Sequence, residues 1–474
     1  MTAAAFRFID LFAGIGGFHA ALKAYGGECV YAVEIDRAAA TTYERNWGHP
    51  PNGSGQTGPD GQPQVWGDIT LDANDEVVNV PNHDILAAGF PCQPFSKSGA
   101  QRGMEETRGT LYWNILRIIQ EHHPKIVLLE NVRNLVGPRH MHEWQVIIET
   151  LRDEGYKVSE VPAVFSPHLL PPDRGGRPQV RERVFITATY DPDGLSKGLD
   201  VDPPIITGES VDGWEPRAEW HLEDLLDDSH NIPGCDLTES EKLWISAWDE
   251  FVQTWLEKTE GRRLPGHPIW ADEWRTFPRV VNFFGFVPGI GDLQDADPML
   301  PQWKASHIAK NLSLYAEHRD WIDPWAEKWG VYTEAFPASR RKFEWQAQET
   351  PTLWDCVMQL RPSGIRAKRP NYLPALVAIT QTSIVGPRER RLSPHEVLRL
   401  QGLPDWFDVE HQKPAATYKQ AGNGVNVGAV WHVLRAHVTR DEDILKRSDD
   451  GRAIWDAVMS APPSPDERLE AMRR

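Results

Sequence analysis

The stretch Gly89-Phe-Pro-Cys-Gln-Pro-Phe-Ser96 sets one thiol, Cys92, in a turn stiffened by Pro91 and Pro94, directly after the apolar run Ile85 to Ala88. That is a presentation for a nucleophile, which a cysteine merely filling a core gap does not need; a buried small hydrophobe, the usual role of a free cysteine, is the alternative. A second apolar run, Ile126 to Leu129, delivers Glu130 to the same expected sheet edge. Partial burial there would keep its carboxyl protonated and able to donate to a ring nitrogen; a capping or salt-bridged glutamate is the alternative. In Gln179-Val-Arg-Glu-Arg183-Val, residues two apart on a strand share a face. Arg181 and Arg183 can then point at one polar or anionic group, or be solvated on a strand edge.

Asp10-Leu-Phe-Ala-Gly-Ile-Gly-Gly17 follows a strand and precedes a helix, where glycines let a ligand approach the backbone closely; a tight turn without a ligand is the other reading. Glu34 ends the next strand, placed to accept bonds from ribose hydroxyls, and Asp68 in Gly67-Asp-Ile69 offers a further acceptor on that edge. With no lysine in the loop and carboxylates around it, a phosphate ligand is disfavoured. An uncharged or cationic nucleoside suits these residues, and S-adenosylmethionine fits.

The elements that must position these groups follow from pattern. Over the first 190 residues short apolar strands alternate with helical segments, the signature of a parallel sheet covered by helices. Strands are expected at Phe6 to Phe12, Cys29 to Val33, Ile85 to Ala88, Ile126 to Leu129, Val158 to Val164 and Val184 to Thr189, with helices at Ala20 to Tyr25 and Leu111 to His122. Pro50 to Gln64 reads as an exposed loop. After about residue 190 the chain turns acidic and Trp-rich, and Trp244, Trp248, Phe251 and Trp255 at helical spacing predict a local core. Asn371 to Ser383 reads as extended and Ser393 to Leu400 as a capped helix. The segment 446–474 reads as a charged, partly mobile tail.

At 474 residues two domains with substantial cores are expected. Four scattered cysteines argue against a disulfide framework and a zinc site, so no metal is expected. The N-terminus lacks the pattern of a secretory signal and no run of about 18 apolar residues occurs, so a cytoplasmic protein without a membrane span is expected. The net charge of -18 argues against a general nucleic-acid binder. Basic clusters at Arg340 to Lys342, Arg361 to Arg369 and Arg388 to Arg391 leave room for a local phosphate-binding face, or for plain surface charge.

Taken in order, these motifs resemble those of the bacterial DNA (cytosine-5) methyltransferases. The resemblance runs from Phe8 to about His432 and adds Arg391-Leu-Ser-Pro-His-Glu396, Gln401-Gly-Leu-Pro404 and Gln420-Ala-Gly-Asn-Gly-Val425 to the motifs above. It implies an α/β fold, a Rossmann-like S-adenosylmethionine-dependent methyltransferase domain with a mostly parallel sheet, plus a smaller target-recognition domain. By it, residues 1–190 open the catalytic domain, 191–385 form the target-recognition domain and 386–445 return to the catalytic domain. Cys92 would attack carbon 6 of a flipped cytosine, Glu130 would serve ring nitrogen 3, Arg183 would contact the base carbonyl and Arg181 would support the site. Asp10, Phe12, Gly14, Gly17, Glu34, Ile35, Asp68, Ile69, Pro91, Leu111, Asn423 and Val425 would hold S-adenosylmethionine, with S-adenosylhomocysteine as product. Ile35 stands where some relatives carry an aromatic, and Gly424 where many carry a serine. Leu169 to Pro178 is longer than common, which would alter the rim of the site.

Double-stranded DNA is the implied partner, with Ser96, Arg102 and Arg108 on a loop that would close over the flipped nucleotide, a simple surface loop being the competing reading, and Arg361, Arg366, Lys368 and Arg369 as donors to phosphates or guanine edges. A restriction-modification or phage-defence setting follows, any nuclease being a separate chain. Methylation of RNA and a noncatalytic DNA-binding or cofactor-sensing role are the alternatives. The long Trp-rich insertion favours a duplex-DNA reader over the first, and the intact set of Cys92, Glu130, Arg181 and Arg183 weighs against the second.

Overall fold

Four runs in the first 132 residues become strands on largely apolar positions, with Arg7 and Glu28 exposed, the pattern of a sheet covered on both faces over most of its length. They are β1 (Phe6–Leu11), β2 (Gly27–Val33), β3 (Ile85–Gly89) and β4 (Ile126–Val132). The structure, a computed structural model, describes residues 4–91, 110–194, 198, 200–376 and 382–473. The four strands pair in parallel in the order β2-β1-β3-β4. The chain thus steps outward from β1 to β2 and returns past β1 to β3, and this reversal opens a crevice at the carboxyl ends of the strands. Register brings Leu11 beside Ala88 and Gly89 beside Glu130, so the residues leaving three strands meet on one edge.

Beyond β4 the sheet turns antiparallel. β8 (Arg183–Tyr190) pairs with β4 and receives both β5 (Tyr156–Val158) and β6 (Ala163–Phe165). The continuous strand expected over Val158 to Val164 is therefore two strands. The Ser159 hydroxyl accepts the Val161 N–H at 3.1 Å and turns the chain between them. The expected strand through Arg181 is also broken, because β7 (Gln179–Val180) leaves the main sheet to pair with β13 (Leu373–Pro374).

Alternation along the strands sends Phe8, Ala87 and Leu128 to one face and Ile9, Leu86 and Val127 to the other. The first face is covered by helix α1 (Gly17–Ala24) and the helices Val427–Arg440 and Asp449–Met459, the second by Leu111–His122 and Met141–Asp153. Tyr25 stacks on Trp431 with ring centroids 3.5 Å apart, and its hydroxyl donates to the Trp431 carbonyl at 2.9 Å. The segment expected as a mobile tail is instead folded: Ile454, Val458 and Leu469 are buried in the same core, and Arg468 donates to the Ala24 carbonyl at 2.8 Å. Its charges alternate with apolar residues at helical spacing, so the composition hid an amphipathic face.

The chain divides into two compact units, one comprising residues up to Leu225, Tyr372–Gln381 and everything from Pro394, the other Leu226–Asn371 and Thr382–Ser393. The second unit is thus narrower at its start than the expected 191–385. Ile205 joins the first core, and the Trp214 and Trp220 indoles donate to the His168 carbonyl at 3.1 and 2.8 Å.

In the second unit a six-stranded sheet runs β15-β14-β11-β12-β10-β9, comprising β9 (Ile269–Trp270), β10 (Lys342–Gln346), β11 (Val357–Arg361), β12 (Gly364–Lys368), β14 (Ile384–Val385) and β15 (Arg390–Arg391). Its core is aromatic. Trp248, Phe251 and Trp255 of the helix Glu239–Lys258 are buried as the spacing predicts, while Trp244 is partly buried. A reciprocal Thr238–Glu241 capping box starts that helix. Trp248 stacks on Phe343 at 4.7 Å, and its indole donates to the Arg340 carbonyl at 2.8 Å. Among the described residues, no helix is long and apolar enough to cross a membrane. Trp248→Ala is expected to cost about 3–5 kcal/mol, measured as a lowered denaturant midpoint.

Candidate functional site

The turn after β1 is built from backbone that few side chains tolerate. Phe12, Gly14 and Gly16 have φ of 56°, 57° and 94°, and an L side chain at such angles is strained. A Cβ on Gly16 would lie 2.1 Å from Nε1 of Trp47, whose N–H donates to the Ile15 carbonyl at 3.0 Å. A Cβ on Gly17 would lie 2.6 Å from the Val425 carbonyl oxygen, so this glycine lets the C-terminal motif close against the turn.

The turn opens into a cavity of about 600 Å³. Of the residues expected around a cofactor, Phe12, Gly14, Glu34, Ile35, Asp68, Ile69, Pro91, Leu111, Asn423 and Val425 line it. Asp10 and Gly17 do not. Asp10 is fully buried beneath the turn, where Oδ2 accepts the His19 N–H at 3.3 Å and so fixes the start of α1, and burial holds its carboxyl well above the usual carboxylate range. Glu34 accepts the Gly14 N–H at 2.8 Å and the Asp36 N–H at 2.7 Å, one on each carboxylate oxygen. Burial raises its pKa against those two bonds. Asp68 accepts both the N–H and the hydroxyl of Thr70 on one oxygen, at 2.9 and 2.8 Å.

Glu130, Asn131 and Arg183 line the same cavity. Nε of Arg183 lies 2.9 Å from Oε1 of Glu130, but the N–H is not well aimed, so that oxygen has no aligned hydrogen bond among the described residues. Burial pushes the Glu130 pKa up, and the positive charges of Arg183 and Arg181 offset this only in part. A carboxyl so placed keeps a proton more readily than one in water. Asn131 donates to the Phe90 carbonyl at 2.9 Å, tying the end of β4 to the turn that follows β3.

Arg181 does not line the cavity. It is 1% exposed and donates to the carbonyls of Leu376, Gly422 and Gly424 at 3.0, 2.9 and 2.6 Å, and burial lowers its pKa to about 9. Because β7 ends before it, the shared-face geometry expected of the two arginines is not what brings Arg181 close. Arg183 faces the cavity, while Arg181 clamps the segment that carries Asn423. The stretch Leu169 to Pro178, expected at the rim, contributes no residue to the cavity and packs on the helix Val427–Arg440, Gly175 lying so close that a Cβ on Gly428 would meet its carbonyl oxygen at 1.9 Å.

Sequence reasoning missed Asp36 and Lys419. Both line the cavity and form an ion pair at 3.0 Å. The only signal was adjacency, Lys419 preceding Gln420 and Asp36 following Glu34 by two residues. Cys92, Ser96, Arg102 and Arg108 lie outside the described residues.

The arginines expected to face DNA are engaged within the second unit. Arg361 and Arg366, on β11 and β12, both pair with Glu344 of β10, and Arg369 pairs with Glu349. Lys368 is the last residue of β12. The cluster Arg388 to Arg391 turns largely inward: Arg390 is buried, donating to the carbonyls of Ser229 and Asp227 at 2.8 and 3.1 Å, and Arg391 pairs with Glu241. These guanidiniums meet internal acceptors, so the cluster is not the open basic face its composition suggested.

A sheet of this order, with a strained glycine turn after its first strand and an acid after its second, defines a Rossmann-like domain of the kind that holds a nucleoside cofactor. A family model for C-5 cytosine-specific DNA methylase matches residues 6–439. Type II methyltransferase M.AluI of Cellulosimicrobium cellulans is 50% identical over 521 aligned positions, which cover 97% of each chain. Type II methyltransferase M.HgiBI of Herpetosiphon aurantiacus is 38% identical over 454 positions, covering 89% of this chain and 94% of that one. The chain belongs to the C-5 cytosine-specific DNA methylase family and is a DNA (cytosine-5) methyltransferase.

Arg181→Ala is expected to destabilise the protein by roughly 3 kcal/mol or more, since it strips partners from buried carbonyls at about 1–3 kcal/mol each. Thermal unfolding followed by circular dichroism reads the loss.

Proposed function

We propose that this enzyme transfers methyl from S-adenosylmethionine to carbon 5 of a cytosine turned out of double-stranded DNA, through a covalent Cys92 adduct. One observation carries the reading: the acid suited to a ribose, Glu34, and the pair suited to a pyrimidine ring, Glu130 with Arg183, line one cavity. The donor set fits the cofactor. Glu34 retains acceptor capacity on both oxygens for vicinal hydroxyls. Phe12, Ile35 and Ile69 provide apolar surface for a base, while the cavity's acids favour a cation over a phosphate. When bound, S-adenosylmethionine supplies an electrophilic methyl group on a sulfonium.

The residues divide the remaining work. Cytosine carbon 5 is a poor nucleophile while the ring stays conjugated. Addition of the Cys92 thiolate to carbon 6 breaks that conjugation, and protonation of ring nitrogen 3 by Glu130 neutralises the electrons displaced into the ring. Arg183 contacts the base carbonyl and holds Glu130. After carbon 5 has taken the methyl group, its proton leaves to solvent, the thiolate is expelled and ring nitrogen 3 returns its proton to Glu130, which restores the neutral ring and the free enzyme. The base must leave the duplex first, because stacking covers its faces. We assign target reading to the second unit, with Arg361, Arg366, Lys368 and Arg369 as candidate contacts and Glu344 and Glu349 orienting the three arginines. The type II names of the relatives support a restriction-modification or phage-defence setting.

Transfer of labelled methyl to unmethylated duplex DNA, followed by base-resolution mapping, tests the reading. Methylation at one cytosine of a recurring short sequence is expected; transfer to RNA alone would overturn it. Cys92→Ala should abolish transfer while cofactor binding persists, and unchanged turnover would reject the covalent route. Glu130→Gln should slow transfer by about 10²–10⁴-fold. Because burial raises the Glu130 pKa, the proton it supplies is present at low pH and lost as pH climbs through that value. Transfer should therefore fall on the alkaline side, and a rate–pH profile of Glu130→Gln should lack that limb.

A further inference from the structure

Two histidines and a cysteine that the methyl-transfer chemistry leaves unused converge behind the glycine turn. His19 lies on α1, Cys29 on β2 and His49 two residues past the helix Arg37–Trp47, and one donor atom from each lies within 4.8 Å of the others. Donors around a tetrahedral zinc ion sit roughly 3.3–3.8 Å apart, given bonds of about 2.0–2.3 Å, so side-chain adjustments of about 1 Å bring this set to coordination distance.

His19 is 1% exposed, and its Nε2 has no hydrogen-bond partner among the described residues, an arrangement that buried polar atoms avoid. The ring is fixed on several sides. It stacks on Trp47 at 4.3 Å, meets Phe8 edge-on at 5.5 Å, and sets Nδ1 2.6 Å from the Tyr43 hydroxyl. In the tautomer whose Nδ1–H donates to Tyr43, Nε2 carries the lone pair, as in metal-ligating histidines oriented by an outer partner. Sγ of Cys29 lies 3.7 Å from the same hydroxyl. Cys29 and His49 are half-buried, leaving a path from solvent. Asp10 and Lys23 interact electrostatically with Cys29 with opposite signs. The cysteine spacing that argued against zinc could not reveal this set, because its ligands come from three elements joined only by the fold.

We propose that His19, Cys29 and His49 bind one borderline-soft divalent transition ion of the zinc class, with water completing the shell. Two imidazoles and a thiol do not suit magnesium or calcium, which take oxygen ligands. As the sulfur–metal bond forms, the thiol releases its proton to solvent and no oxidation state changes. The ion ties α1, β2 and the turn after the helix Arg37–Trp47 together beneath the loop that carries Phe12 and Gly14.

The test uses full-length protein stripped of metal and titrated with cobalt(II), then with zinc in competition. A thiolate-to-cobalt charge-transfer band that saturates at one equivalent, survives in Cys92→Ala and disappears in Cys29→Ser is expected. His49→Gln should weaken zinc binding at least about 10-fold, and zinc should raise the melting temperature of the unsubstituted protein but not of Cys29→Ser. Melting curves without metal confirm that each variant folds. The proposal falls if no equivalent binds, if the band persists in Cys29→Ser, or if Cys92→Ala removes it.

Discussion

Taking a guanidinium out of water costs several kcal/mol unless its donors find acceptors, and the two terminal nitrogens of Arg181 find them on three backbone carbonyls rather than on a carboxylate, while Nε has no partner among the described residues. Two of those carbonyls, of Gly422 and Gly424, flank Asn423, so one buried side chain sets where the C-terminal wall of the cavity lies. On the other side of that wall, Gly17 is bare enough for Val425 to reach the turn after β1. Carbonyl ligation also leaves Arg181 with positive charge to spare, felt by Glu130 without a direct bond. The result is a carboxyl held by one imperfectly aligned partner, Arg183, and free to exchange a proton.

The parallel half of the fold and its edge were legible in the sequence because four largely apolar strands, each ending next to a residue of distinct chemistry, admit few arrangements. Glu34 and Glu130 could be placed from their positions at strand ends alone. The roles of Asp10 and Arg181 were not legible. A conspicuous acid before a glycine turn looks like a ligand contact, yet Asp10 holds a helix start, and the spacing of Arg181 and Arg183 suggested a strand that the chain breaks between them. Both errors came from reading side-chain direction out of local periodicity where tertiary pairing prevailed. Lys419 and Asp36 meet across 383 positions of sequence, a distance no local pattern spans.

Charge tells a similar story in the second unit. Basic clusters in an acidic chain invite a reading as an open phosphate-binding face, but Glu241, Glu344 and Glu349 sit opposite them and take up their donors. Pairing of this kind trades general attraction for fixed orientation, since a guanidinium held by a carboxylate presents its remaining N–H groups at defined angles. That is consistent with a net charge of -18 on an enzyme whose substrate is itself an anion.

The stacking of Tyr25 on Trp431 has a bearing on how the chain reaches its native state. The two residues are 406 positions apart, and the helix bearing Trp431 covers the same sheet face as α1. During synthesis, the N-terminal strands emerge long before the segment that shields them, so part of one face of the first core stays uncovered until that segment has been made. The second unit, whose strands and helices are far closer in sequence, can complete its own core while the first is still waiting. Late closure of this kind makes folding slow and leaves apolar surface open to chaperones or to aggregation.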